Sequence, residues 1–240
     1  MAISKNDIRF IRSLQQKKVR NEEGVFVVEG KKMVEEALEL KWIPLYLLST
    51  DASFCELHDC EFVSENIMSQ CSSLVTPSGY LAVIANKNLP VVDFNSSNRI
   101  VVLNGVADPG NLGTILRTCE WFGINGVILD ENCVELENPK VIQATMGAAF
   151  RLPTTKLMGS EILELLENCG FYFMTADMQG TPVYSLEKQG KWALIMGSES
   201  HGLSPLFKGV NPIHIPRMGG GESLNVGVAT GIILSQLTQE

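Results

Sequence analysis

Two short apolar strands that each run into a glycine-bearing loop constrain the fold of this chain more than any other feature. The first strand covers residues 192–196 and continues into the loop 197–202. The second covers residues 212–216 and continues into 217–221, after which a helix opens at 222–225. A strand end followed by glycine is where an open α/β sheet usually places a ligand. The sequence therefore predicts a binding site built from these two loops.

The chemistry of the first loop limits which ligand it can hold. No stretch of the chain matches the dinucleotide fingerprint or a phosphate-binding loop. Glu199 lies inside the first loop, where a carboxylate would repel a pyrophosphate but tolerate a cationic ligand. A nucleotide-dependent enzyme of the doubly wound class is therefore disfavoured. Ordinary turns remain the alternative for either loop alone, because glycine accepts positive φ in any turn.

Strands and helices alternate along the chain, which predicts two α/β units separated by a polar segment. Residues 100–104 and 126–129 are apolar without alternation, as expected for a parallel sheet covered on both faces. The region 86–99 is polar and rich in turn residues, so we interpret it as a linker. The predicted division is a small α/β domain at 1–88, a linker at 89–98 and a second domain at 99–240.

Charge is distributed unevenly along the chain. The net charge is −8, which argues weakly against nucleic acid as a partner. Residues 1–32, however, contain eight Lys and Arg against four Asp and Glu, hence +4, which leaves −12 for the remainder. A basic N-terminal face could contact RNA, or it could be a solvated helix face, and charge alone leaves both open.

Metal, membrane and secretion signals are weak. The six cysteines show no paired spacing, and Cys55, His58 and Cys60 lack a second pair of ligands, so we predict reduced thiols and no metal. The N-terminus has no apolar signal region, and the last helix is interrupted by glycine and serine. We therefore expect a cytoplasmic protein without a membrane partner.

Two helices carry further information. Asp-Pro-Gly at 108–110 predicts a turn, with Asn111 as the helix N-cap bonding the Thr114 amide and Arg117 projecting from the face opposite the apolar stripe. In the last helix, small residues recur every fourth position, at Ser223, Gly227, Gly231 and Ser235. We expect that helix to be nearly surrounded, with one face approached closely by backbone.

Four segments, taken in order, resemble the motifs of a known family. The runs 195–204 and 215–226 resemble motifs two and three of the SpoU (TrmH-type) RNA ribose methyltransferases of the SPOUT class. The run 104–119 resembles motif one, and 144–153 resembles the Gly-Ala segment that follows it. Gly227 and Thr145 stand where serine is frequent in the family, and neither is expected to carry chemistry.

The resemblance implies fold, activity and partners. It implies an α/β fold, with a SPOUT-type parallel sheet and a deep trefoil knot preceded by a small ribosomal-protein-like substrate-binding domain, and a homodimer. It implies S-adenosylmethionine as donor and the ribose 2′-hydroxyl of a structured RNA as acceptor, ribosomal RNA more than transfer RNA. A catalytically silent RNA-binding protein of the same fold is the alternative.

The resemblance also assigns residues to roles. The catalytic residues expected are Arg117, Asn111, Glu199, Ser223 and Asn225. The donor contacts expected are Gly197, Ile215, Leu224, Met218 and Asn225. The RNA contacts expected are Arg12, Lys17, Arg20, Lys31 and Arg151. Because arginine stays protonated in almost any environment, Arg117 suits a phosphate clamp better than a general base, although the family is also described with the arginine activating the hydroxyl.

Overall fold

The computed structural model describes residues 3–187, 189–198 and 202–239. Contacts divide the chain into two compact units. The first comprises Met1–Asn88 together with Glu135–Gly147, and the second comprises Leu89–Val134 together with Ala148–Glu240. The sequence predicts a first domain at 1–88 and a second at 99–240. In the structure, residues 135–147 group with the first unit instead.

The first unit is a four-stranded sheet with helices. Its elements are α1 (Lys5–Ser13), α2 (Lys17–Glu23), β1 (Val25–Glu29), α3 (Lys31–Glu39), β2 (Tyr46–Ser49), α4 (Ala52–His58), β3 (Glu61–Phe62), α5 (Glu65–Cys71) and β4 (Tyr80–Ala85). The strand order is β1-β4-β2-β3, with β2 and β3 parallel and the other two pairs antiparallel. Ile11 and Leu14 are fully buried against Leu48, Leu81 and Val83 in the core of this unit.

The second unit supplies most of the remaining elements. After β4 the chain forms β5 (Arg99–Asn104), α6 (Pro109–Trp121), β6 (Gly126–Leu129), α7 (Pro139–Thr145), α8 (Ala148–Arg151), β7 (Thr154–Lys156), α9 (Gly159–Asn168), β8 (Tyr172–Pro182), β9 (Trp192–Gly197), β10 (Pro212–His214) and α10 (Val226–Leu237). Helix α7 is the one labelled element after β4 that groups with the first unit.

A parallel sheet forms the centre of the second unit. Its six strands lie in the order β10-β8-β9-β5-β6-β7, and every neighbouring pair is parallel. Val102 in the middle of β5 lies opposite Ile128 on one side and Ile195 on the other, and all three are fully buried. The predicted α/β class, with a parallel sheet preceded by a small α/β domain, is confirmed. The trefoil knot stays a prediction.

Two short helices follow each other closely after β6. Helix α7 ends at Thr145 and α8 begins at Ala148. Met146 and Gly147 have positive φ values of 51° and 93° between them. Left-handed backbone cannot continue a right-handed helix, so the segment turns at this point.

The small-residue face of α10 packs on α6. A Cβ added at Gly227 would lie 3.2 Å from Thr114 Cγ2, and one added at Gly231 would lie 3.7 Å from Thr118 Cγ2. The expected close approach is therefore present. Within the single chain, α10 is covered less completely than expected, since Val228 remains 52% exposed. None of the helices in the described ranges has the length and apolar character that a bilayer crossing requires.

Candidate functional site

A cavity of about 1270 Å³ opens beside the middle of β8 and at the ends of β9 and β10. Its walls come from residues 176–179, from the loop after β9 and from the segment 213–224. The lining includes Gly197, Ile215, Met218 and Leu224, four of the five residues that the resemblance implies as donor contacts. The structure thus brings these four together around one space, while their contact with a donor stays a prediction.

Gly197 permits the tightest approach in this cavity. A Cβ at this position would lie 2.5 Å from the carbonyl carbon of Gly202 and 2.7 Å from the Leu203 nitrogen. Ser198 N donates to Gly202 O at 3.1 Å, and Gly202 N donates back to Ser198 O at 2.9 Å. Any side chain at 197 would push this loop closure apart. Glu199, predicted as catalytic, lies outside the described residues.

Asn111 and Asn225 meet beside the cavity. Asn225 is the N-cap of α10, and its side-chain oxygen accepts from Gly227 N at 3.0 Å and Val228 N at 3.3 Å. Its amide nitrogen therefore points away from the helix and donates to Asn111 Oδ1 at 2.9 Å. Ser223, two residues earlier, lines the cavity and is exposed.

The predicted cap of α6 is corrected by the structure. Asp108, not Asn111, is the N-cap, and its side chain accepts from Asn111 N at 2.8 Å. Pro109 occupies the first helical position, where its missing N–H costs nothing. Asn111 is thus free of capping, and its side chain can bind Asn225 instead.

Arg117 is not at the cavity wall. It is exposed, and within the described part of the chain it makes no hydrogen bond or ion pair. It stands six residues after Asn111 on the same helix, about 9 Å further along the axis. The catalytic role of Arg117 therefore stays a prediction.

Several cavity residues carry polar groups that sequence reasoning did not single out. Lys208 and Arg217 supply positive charge at the wall, and Arg217 Nη1 donates to Gly221 O at 3.0 Å. His214 Nδ1 lies 3.0 Å from Gly180 O. Because a carbonyl only accepts, Nδ1 is the donor in this contact. Lys208 lies between β9 and β10, His214 is the last residue of β10 and Arg217 follows it. These positions were the available signal, since strand ends face the ligand in such sheets.

The five predicted RNA contacts differ in how exposed their side chains are and in whether they form ion pairs. Arg12 and Lys31 are exposed in the first unit, and Lys31 Nζ lies 4.0 Å from Glu35 Oε1 in an exposed ion pair. Arg20 is corrected: it is 2% exposed, forms a buried ion pair with Glu135 and donates to Leu14 O at 2.8 Å. A side chain this deeply buried supports the fold and cannot contact RNA.

The other two predicted RNA contacts are exposed but paired. Lys17 Nζ lies 3.1 Å from Glu135 Oε2, and Arg151 Nη2 donates to Glu120 Oε2 at 3.1 Å. Burial alone would raise the pKa of Glu135, but hydrogen bonds and charge from Lys17 and Arg20 outweigh it and hold that pKa below its usual value. Glu135 therefore stays ionised at neutral pH.

The cysteines give no sign of a metal site in the ranges described. No group of three or more His, Cys, Asp or Glu side chains is placed to hold an ion among those residues. Cys55 Sγ and Cys60 Sγ lie 2.9 Å apart, and all six cysteines are free thiols.

Comparison with known proteins gives a consistent result over both units. Residues 98–235 match the model of the SpoU rRNA Methylase family, and residues 5–82 match an MRM3-like substrate binding domain. A putative RNA methyltransferase of the TrmH family from Porphyromonas gingivalis is 34% identical, with a TM-score of 0.87 over 99% of this chain and 98% of that one.

Two further relatives match over nearly the whole chain. An AdoMet-bound rRNA methyltransferase from Sinorhizobium meliloti is 27% identical, with a TM-score of 0.85 over 99% of this chain and 96% of that one. The 23S rRNA (guanosine(2553)-2′-O)-methyltransferase RlmP of Bacillus subtilis is 29% identical over 94% of this chain and 93% of its own length. The family model spans the cavity, the Asn111–Asn225 contact and the whole parallel sheet, and the chain belongs to the SpoU rRNA methylase family.

Proposed function

We propose that this protein transfers the methyl group of S-adenosylmethionine to the ribose 2′-hydroxyl of a nucleotide in ribosomal RNA. The observation that carries the proposal is the cavity lined by Gly197, Ile215 and Leu224, with the Asn111–Asn225 contact beside it. Membership of the family confirms the predicted class of enzyme, an RNA methyltransferase. The alternative of a catalytically silent RNA-binding protein finds no support among the relatives.

The cavity fits the donor in chemistry and in size. Ile213, Ile215 and Leu224 offer apolar surface for a purine ring, while the glycine-rich backbone offers amides and carbonyls. Its volume of about 1270 Å³ exceeds the roughly 300–1,000 Å³ of usual small-molecule pockets, which leaves space for part of a nucleotide beside the donor. The AdoMet-bound relative from Sinorhizobium meliloti supports the same assignment.

The residues beside the donor would orient the acceptor. The bound donor supplies an electrophilic methyl group, so the protein must align the hydroxyl oxygen and help it lose its proton. Asn111 and Asn225 would fix the ribose by hydrogen bonds, and Ser223 would contact the same nucleotide from the cavity wall. Arg117, which is always charged and does not line the cavity, would bind the neighbouring phosphate, and it would stabilise the developing alkoxide once the acceptor ribose lies within its reach.

Ribosomal RNA is the substrate that the relatives favour. The Bacillus subtilis relative, which matches 94% of this chain, is named for methylation of 23S rRNA, and the first unit matches a substrate binding domain. Exposed Arg12 and Lys31 on that unit would add phosphate contacts. An enzyme that acts on bacterial-type ribosomal RNA would work in the cytoplasm, which is part of this proposal.

A homodimer through α6 and α10 completes the proposal. Trp121 on α6 is 85% exposed, and Val228 on α10, which packs against α6, is 52% exposed. Large apolar side chains that are exposed to solvent on adjacent helices indicate a surface suited to a protein partner. Because the two helices are next to each other, a second copy could cover both residues with the same face.

Titration calorimetry with S-adenosylmethionine tests the donor site. The wild-type protein should bind it saturably and should not bind NADH. Gly197→Ala should abolish binding, since the new Cβ collides with the backbone of Gly202. Gly190→Ala is the matched control, because nothing lies within 4 Å of its Cβ position.

The same samples then test the acceptor. Incubation with labelled donor should methylate ribosomal RNA, and nuclease digestion should leave a nuclease-resistant 2′-O-methylated dinucleotide. Binding of NADH instead of S-adenosylmethionine by the wild type would overturn the proposal. Methylation of transfer RNA alone would overturn the substrate assignment and leave the chemistry in place.

A further inference from the structure

A chain of buried hydrogen bonds connects two strand ends to the loop that lines the cavity. Asn104 is the last residue of β5 and Asp130 follows β6, and their exposures are only 5% and 1%. Asn104 Nδ2 donates to Asp130 Oδ2 at 2.6 Å. On its other side, Asn104 Oδ1 accepts from Ser204 N at 2.7 Å. A single side-chain amide therefore joins a buried carboxylate to the loop after β9.

The carboxylate fixes the orientation of that amide. An ionised aspartate can only accept, so the amide nitrogen of Asn104 must face Asp130. The amide oxygen then has to face Ser204, where it meets a backbone N–H. Asp130 is itself held by Gly105 N at 2.9 Å and Asn132 N at 3.1 Å. The order of donors and acceptors is therefore fixed, and both the nitrogen and the oxygen of the Asn104 amide have a hydrogen-bond partner.

Ser204 stands at the base of the cavity loop. Leu203, the residue before it, lines the cavity, as do Ser198 and Gly202. Ser198 lies close to the end of β5, because a Cβ added at Gly105 would be 3.6 Å from Ser198 Cβ. The hydrogen bond from Ser204 N to Asn104 therefore holds Ser204 at the end of β5, close to which Ser198 also lies.

We propose that Asp130 and Asn104 are positioning residues for methyl-donor binding, which act by holding Ser204, and with it Leu203 at the cavity wall, and do not touch the donor themselves. The inference rests on the proposed function, because it assigns a purpose to the loop that lines the donor cavity. Holding the loop in advance removes part of the ordering cost that donor binding would otherwise carry.

Exchanging the two side chains gives a sharp test. Asn104→Asp replaces the donor of this bond by a second carboxylate 2.6 Å away in a buried site, so the pair repels unless one of the two takes up a proton. Adding Asp130→Asn restores the bonds of Ser204 N, of the side chain at 104 and of Gly105 N, while the 3.3 Å bond that Asn132 Nδ2 donates to Asp130 Oδ2 is lost. The carboxylate at 104 then accepts from Ser204 N and from the new amide, whose oxygen accepts from Gly105 N. Asp130→Asn alone keeps the shape but lets the amide of Asn104 turn over.

The experiment measures donor affinity by calorimetry, the KM values for donor and RNA, and the unfolding temperature, for wild type and the three variants. We expect Asn104→Asp to weaken donor affinity by roughly tenfold or more and raise the donor KM, with the RNA KM unchanged. The double variant should recover to within about threefold of the wild type. Asp130→Asn should weaken donor affinity by a smaller factor at an unchanged unfolding temperature.

The results distinguish a failure of the proposed function from a failure of the positioning role alone. A wild type that binds no donor defeats the proposed function, and this inference with it. A wild type that binds donor, with variants of equal affinity, overturns the positioning role alone. Loss of affinity in proportion to loss of unfolding temperature, without recovery in the double variant, would also overturn it. If Asn104→Asp does not fold, Asp130→Asn and the double variant decide between these results.

Discussion

The amide nitrogen of Asn225 donates to the side-chain oxygen of Asn111 at 2.9 Å, across 114 positions of sequence. Asn225 also caps α10 through its oxygen, so one side chain both starts the last helix and fixes the neighbour on α6. The cap decides which atom of Asn225 faces Asn111. A residue needed for folding thereby sets the geometry of a residue proposed for catalysis.

Asn225→Asp should separate these two roles. The carboxylate can still accept from Gly227 N and suits the positive end of a helix dipole, so the unfolding temperature should hold or rise. It cannot donate to Asn111 Oδ1, and the two oxygens should repel. We expect turnover to fall roughly tenfold, as for a lost hydrogen bond that orients substrate.

Two further variants check this prediction. Asn225→Ala should lose both roles and cost about 1 kcal/mol of stability, the usual effect of a lost cap. Asn138→Asp changes the N-cap of α7, which accepts from Lys140 N at 2.9 Å, and should leave turnover unchanged. Full activity in Asn225→Asp would contradict the role given to the Asn111 contact.

The pKa of Glu135 predicts a pH dependence of stability. Its folded pKa lies below the usual 4.5, because Lys17 and Arg20 favour the ionised form more than burial disfavours it. The stabilisation is therefore complete above pH 4.5 and is lost as pH falls through the folded value. Glu135→Gln should reduce stability by about 3 kcal/mol at neutral pH, since it leaves the buried Arg20 charge unpaired.

Thermal unfolding of wild type and Glu135→Gln across the acid range measures this effect. The difference between the two should be largest at neutral pH and shrink once the wild-type carboxylate is protonated. Glu22→Gln is the matched control, since its pair with Lys18 is exposed, and it should change little at any pH. A difference that stays constant with pH would show that Glu135 does not act through its charge.

The sequence predicted the parts of the site that depend on local chemistry. Strand ends and glycine loops predicted a binding site at 197–202 and 217–221, and the family resemblance assigned Gly197 and Leu224 to it; both residues line the cavity. The cap of α6 was predicted at Asn111, although Pro109 carried a local signal for Asp108, since proline favours the first helical position. That error was avoidable from the sequence.

Other features depend on residues far apart and could not be predicted in this way. Arg20 has the charge of an RNA contact, and only the packing of Glu135, 115 positions away, makes it a buried pair. The same applies to the bond from Asn104 to Asp130, which needs the register of two strands. Sequence pattern gives the chemistry of each group but not its partner.

The exposed face of α6 and α10 predicts a dimer. Trp121→Arg should place a charge in the proposed contact and shift the protein to monomer, as measured by light scattering on a sizing column. Ile43→Arg is the matched control, because Ile43 is equally exposed at 86% but lies in the first unit. A monomeric wild type, or a dimer that persists in Trp121→Arg, would rule out this interface.

Arg117 should affect turnover and leave donor binding unchanged. It does not line the cavity, so Arg117→Ala should leave the affinity for S-adenosylmethionine unaltered. Loss of a charged group that stabilises a developing oxyanion costs about 10²-fold or more in kcat, and we expect a loss of that size. Lys156→Ala, which removes an exposed cation from β7 in the same unit, is the control and should keep normal turnover.

Arg117→Lys distinguishes the two roles considered for this residue. Lysine keeps the positive charge but loses the planar fork that binds phosphate through two bonds. If Arg117 binds phosphate and stabilises the alkoxide, Arg117→Lys should retain measurable turnover with a raised KM for RNA. Complete loss of turnover, with RNA and donor binding both intact, would contradict the clamp and indicate a direct part in removing the hydroxyl proton.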